Sequence, residues 1–195
     1  MIIKMQITNS PQRYGLISLI FHWGMAIAFI ALFLLGKYMV GLDYYDAWYQ
    51  AAPDLHRSTG VILVLLMLLR WGWRCNNIQP GEHIKPKLAR WIQRSFYGWV
   101  IIIAISGYLT TTADGQPLHV FDWFELPATL SGLEQQSDVA GDVHEVLTGL
   151  FMTLIILHSA AALKHHFIDR DATLLRMLGR SPEQQPTDHQ DEEST

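Results

Sequence analysis

Four long apolar stretches, parted by polar ones, set the pattern of this chain. They run from about Gly15 to Val40, Leu55 to Arg74, Leu88 to Thr111 and Val139 to Phe167. Each reaches the length of about 20 residues that a helix needs to cross a bilayer. The third starts amphipathic and becomes apolar only from Phe96. The first connection holds Asp43, Asp46 and Asp54 with Tyr44, Tyr45, Trp48 and Tyr49, aromatics of the kind that sit at headgroup level. Pro53 and Asp54 then read as a helix start. The stretch from Thr112 to Asp138 is too polar to cross, with five acidic residues and no Lys or Arg. Beyond Asp169 come Arg170, Arg176 and Arg180, then QQPTDHQDEEST, too polar to bury a core. The pattern predicts an all-α integral membrane four-helix bundle over 1–180 and a disordered tail over 181–195.

Charge placement adds an orientation. The N-terminal lead, the second connection and the segment after the fourth span are basic, whereas the first and third connections hold almost no Lys or Arg. By the positive-inside bias both termini are cytoplasmic. The net charge of −4 adds little by itself. Half of the 195 residues are hydrophobic, which fits a small multi-span protein. The first apolar run is too long, and its flanks are wrong, for a cleaved leader. The single cysteine, Cys75, rules out an internal disulfide, a CxxC metal motif and a CxxCH haem attachment. No nucleic-acid partner is expected; the partners implied are lipid and whatever the spans enclose.

Nine histidines is a high count; His165 and His166 close the inner end of the fourth span, and four others, His22, His56, His144 and His158, lie within the spans. Ionisable side chains at membrane depth are costly and mark function by default. His144 and His158 are fourteen residues apart in the fourth span, about 40° short of four full turns, so they share one face about 21 Å apart. His22, like His158, lies roughly 10 Å from the cytoplasmic edge at about 1.5 Å per residue. His56, like His144, lies near the outer edge. The depths therefore pair His22 with His158 and His56 with His144, each pair drawn from two different spans. Imidazoles facing across a bundle core can hold a flat macrocycle by its iron. A lone membrane histidine is also commonly an interhelical hydrogen bonder, but four at paired depths fit that less well. Zinc usually takes four clustered ligands, not two separated pairs. Gly60, Gly141, Gly149 and the run Ser159 to Ala162 would let a ring, or simply another helix, come close.

The stretches IFHWGMA, DLHRSTGVILVLLMLLR and LHSAAALKHHFIDRDATLLRML resemble the bacterial cytochrome b561 family of four-helix membrane cytochromes, and TTADGQPLHVFDWFELPA is similar to one branch of it. The likeness extends to about Arg180. It implies two haem b groups, with His22, His56, His144 and His158 as ligands to their iron, a location in the bacterial inner membrane, and electron exchange with ubiquinone or a similar quinone. Some members oxidise superoxide and pass the electron to ubiquinone. One departure is Gln93, where several relatives carry a histidine.

Other residues have two readings each. Arg57, beside His56, is a candidate to bind a haem propionate, or it is a snorkelling interfacial arginine. Arg13, Arg70 and Arg74 carry the same pair of readings at the inner face. Lys164 and His166 are quinone-site candidates as donor and proton source, or simply a cationic helix end. His119, with Asp122 and Glu125, is a gate, a metal site or neither. An acidic outer face repels superoxide, so steering that donor inward would need a positive patch around Arg57 or Lys37. His83 and His189 read as solvated.

The reading is an electron carrier, an oxidoreductase if self-contained, moving single electrons between a periplasmic-side donor such as superoxide and the quinone pool. One alternative is a haem anchor subunit fed by a separate dehydrogenase or hydrogenase. Another, of a different class, is a metal or small-molecule transporter without haem.

Overall fold

The computed structural model describes residues 6–81 and 87–180. His83, His189 and the tail over 181–195 lie outside the described residues. Four long helices make up most of the chain: α1 (Leu16–Val40), α2 (Ala51–Cys75), α3 (Lys87–Thr111) and α4 (Gln136–Phe167). A short antiparallel hairpin, β1 (Leu118–Val120) and β2 (Phe124–Leu126), lies between α3 and α4, and a one-turn helix, α5 (Thr173–Met177), follows α4.

The helix starts differ from the apolar pattern for local reasons. The second helix begins at Ala51, four residues ahead of Leu55. Pro53 therefore sits inside its first turn, where an N–H has no intrahelical acceptor in any case. The fourth begins at Gln136, three residues ahead of Val139. The Gln136 amide donates to the carbonyls of Leu109 and Leu130, both at 3.0 Å, and so staples the start of α4 to the end of α3.

Three of the long helices, α1, α2 and α4, are apolar enough to cross a membrane on composition alone. The other, α3, equals α1 and α2 in length but carries Lys87, Arg90 and Arg94 in its first two turns. It packs closely along α4, and α1 packs closely along α2. The bundle is thus two tight helical pairs. Between the pairs the packing is looser, both where α2 meets α3 and where α1 meets α4. Large apolar side chains such as Ile27, Leu34, Leu69, Ile102, Ile105, Val146 and Leu157 lie on the outer surface, as lipid contact requires.

The buried centre takes one side chain from each long helix: Met25, Met67, Val100 and Phe151. Phe151 stacks edge-on against Phe29 (5.5 Å) and Phe96 (5.6 Å). It lies seven residues from His144 and seven from His158, so this plug divides the bundle into two levels.

The two ends are built differently. At the termini end, Asn9 joins the N-terminal lead to Ile78 and Ser18, and Trp23 donates to the carbonyl of Met177 in α5. At the hairpin end, the buried Ser58 accepts from the amide of Phe121 at 2.8 Å. The Tyr108 hydroxyl donates to Pro127 and accepts from the amide of Thr129. The stretch expected to be a plain acidic loop is therefore a folded cap. Three-residue strands leave no readable alternation, and tertiary anchors make this hairpin.

Candidate functional site

The four span histidines all turn inward and are partly buried. His56 of α2 and His144 of α4 meet at the hairpin end, with ring centres 6.2 Å apart and planes at 77°. His22 of α1 and His158 of α4 are electrostatic neighbours on the other side of the aromatic plug. His158 stacks edge-on against Phe96 at 5.4 Å, and His22 against Trp23 at 5.3 Å. Each pair straddles the loose seam between the two helical pairs.

At the hairpin level two glycines clear space for the rings. A Cβ at Gly36 of α1 would lie 3.1 Å from His56 Cε1, and one at Gly107 of α3 would lie 3.0 Å from His144 Cε1. His144 Nδ1 is 3.0 Å from the carbonyl oxygen of Ile103 and 3.1 Å from Ser106 Oγ. A carbonyl can only accept, so Nδ1 carries the proton and Nε2 keeps its lone pair. Metal-bound histidines are commonly oriented by such a hydrogen bond from the other ring nitrogen. His56 Nδ1 is buried and makes no hydrogen bond of full geometry, although the Leu32 backbone acts on the ring as an acceptor.

At the termini level the chemistry is reversed. Arg70 Nη2 lies 3.1 Å from His22 Nδ1. A guanidinium can only donate, so here Nδ1 accepts and the neutral ring's proton sits on Nε2.

A flat iron group suits these residues. Imidazole nitrogens hold metals at about 2 Å and the ring centre lies about 1 Å behind, so two rings on opposite sides of one metal stand roughly 6 Å apart. The hairpin-end pair has that separation, an unsatisfied buried ring nitrogen, and two glycines where a methyl would press on the rings. The donors come in pairs; among the described residues no three His, Cys, Asp or Glu side chains gather as a metal cluster.

The remaining candidates are spread around this core. Arg57 pairs with Asp54, one turn back on its own helix. Lys37 pairs with Glu145 across α1 and α4. Both cations that would have steered an anion inward are thus matched by carboxylates. His119 Nδ1 faces Glu125 across the hairpin at 3.2 Å. Lys164 Nζ contacts both oxygens of Asp169, at 3.0 and 2.8 Å, and His165 contacts the same carboxylate. These two partners hold the Asp169 carboxyl below the usual carboxylate range. His166 stacks on Phe167 at 4.8 Å. Of the small residues singled out from sequence, Gly60 and Gly141 make ordinary contacts with Leu32 and Thr110, and Gly149 faces open space. Sequence reasoning missed Gly36, Gly107, Ile103 and Ser106. The depth matching that paired the histidines would also have placed Gly36 and Gly107 level with the outer pair.

Membrane-length helices with paired imidazoles at two levels of one seam describe the class of bundle cytochromes. Known sequences point the same way. Residues 13–180 match the prokaryotic cytochrome b561 family, and the chain belongs to that family. It is 46% identical to cytochrome b561 homolog 2 of Escherichia coli K12 over 182 residues, 91% of this chain and 97% of that relative. It is 24% identical to cytochrome b561 homolog 1 of the same organism over 177 residues, 86% of this chain and 98% of that relative. Membership makes it a membrane haem b protein of the electron-carrying kind.

Proposed function

We propose that the chain is a di-haem b cytochrome of the bacterial inner membrane that moves single electrons between a donor at the hairpin end and a quinone at the termini end. On this reading both termini are cytoplasmic, and the hairpin faces the periplasm. His56 and His144 would hold one haem, and His22 and His158 the other. The observation that carries the reading is the meeting of the His56 and His144 rings across the seam, with His22 and His158 as electrostatic neighbours at a second level. Haem iron supplies the chemistry when bound, cycling between ferric and ferrous to carry one electron at a time.

The chain's own residues set the rest. Ile103 and Ser106 fix the His144 ring, Gly107 leaves that ring room and Gly36 does the same for His56, and the Phe151 plug separates the two levels. Two superoxide anions would leave as dioxygen, giving two electrons, and a quinone would take those electrons with two protons. Lys164 and His166 are the candidates to pass protons at that end. Lys164 would have to exchange Asp169 for the quinone. Arg57 would likewise have to leave Asp54 to meet a propionate.

The test is purified protein mixed with superoxide and, separately, with a quinol, while the haem absorbance is followed. Reduction by superoxide and reoxidation by quinone support the self-contained carrier. Reduction only when a co-purifying dehydrogenase is added supports the anchor role instead. Protein without b-type absorbance contradicts both.

A further inference from the structure

The two levels differ in one atom's role, and the difference involves Arg70. At 3.1 Å its guanidinium donates to His22 Nδ1. A neutral His22 binding metal through Nε2 must move its proton to Nδ1, where it would point at the Arg70 N–H. Two donors cannot share that contact, so the Arg70 bond and Nε2 ligation exclude each other. His144 faces no such conflict, because Ile103 accepts from its Nδ1.

Arg70 has somewhere to go. It lines a small cavity with Tyr14, Ser18, Trp73 and Arg74 at the termini end. A guanidinium so placed is suited to a carboxylate, which it binds through two parallel N–H donors. Haem b carries two such groups on its edge.

We propose that Arg70 exchanges partners when the termini-end haem binds, releasing His22 Nδ1 and taking a propionate carboxylate. This rests on the di-haem reading above and deepens it. Arg70 is then a positioning residue for the ligand His22 and a recognition residue for the acid edge of the haem. The hairpin-end site, with His144 already in the ligating tautomer, needs no such exchange.

The test uses the full chain in nanodiscs, produced without haem, in a His144→Ala background that leaves only the termini-end site. It is titrated with haem b and with the dimethyl ester of haem b, whose propionates cannot carry charge. With Arg70 present the acid form binds more tightly than the ester, by about tenfold or more, the scale of one charge-assisted hydrogen bond. In Arg70→Leu the two forms bind alike, and Arg70→Lys keeps part of the preference. Helix circular dichroism verifies the fold, and Arg70→Gln replaces Arg70→Leu if the latter misfolds. An acid-over-ester ratio that Arg70→Leu leaves unchanged, or no preference with Arg70 in place, overturns the exchange while leaving the haem site standing. A chain with native histidines that takes up no haem overturns the di-haem reading beneath it.

Discussion

The hairpin-end and termini-end histidine pairs look alike in sequence and differ in preparation. His144 is locked by Ile103 and Ser106 in the tautomer that frees Nε2, and glycines back both rings of its pair. His22 is held by Arg70 in the opposite tautomer, and its pair is walled by Phe96 and Trp23. A cofactor site is therefore more than its ligands. The groups behind the ligands decide which nitrogen is offered and how much rearrangement binding demands.

Substitutions that touch one level only can break this contrast. The largest effect is expected from Gly107→Leu. A Cβ there already presses on the His144 ring, and a full Leu side chain needs the volume the ring occupies. Haem per chain, measured by pyridine haemochrome, should fall from two to one, and the surviving haem should keep its spectrum. Loss of both would mean that the levels are not independent.

Next in size is Phe151→Ala, which empties the wall between the levels. Removing a buried Phe side chain costs about 3–5 kcal/mol. Phe151 reaches His158 through Phe96, so thermal release of haem should start at the termini-end site. Release from both sites together would show that the plug supports them equally.

Ser58→Ala should cost less, roughly 1–3 kcal/mol for the stranded Phe121 amide. That amide belongs to a residue with a left-handed φ of 47°, a conformation that needs outside support. Faster hydrogen exchange confined to the hairpin strands would confirm the anchor, and unchanged exchange would remove it.

The smallest effect is expected at Asp169, an exposed carboxylate. Its partners Lys164 and His165 lower its pKa, so its contribution is present at neutral pH and fades as pH falls through that lowered value. Asp169→Asn should leave melting near neutrality almost unchanged, since exposed pairs contribute little. Whatever small difference the two proteins show near neutrality should vanish at acid pH, where Asp169 is protonated. A large neutral-pH loss would show that the Lys164 end of α4 matters more than its exposure suggests.

Much of this arrangement was legible in the sequence because helix rise is nearly constant. Counting residues inward from each span end put His22 level with His158 and His56 level with His144. Helix rotation is less accessible. Nothing in the spacing showed that α2 would turn Arg70 onto His22, or that Gly36 would back His56, because packing between helices sets those faces. Local pairing was equally hidden. Arg57, Lys37 and Lys164 read as cations looking for anionic ligands, and the fold supplies Asp54, Glu145 and Asp169 instead. The hairpin was invisible because its strands are too short to show a period and are held by Ser58 on a distant helix.

The central claim, one haem for each histidine pair, is tested most directly by counting haem in the purified native chain beside His56→Ala and His158→Ala. The account predicts two haems per native chain and one in each variant, with the two residual spectra differing from one another. One haem in all three proteins, or identical residual spectra, would contradict it.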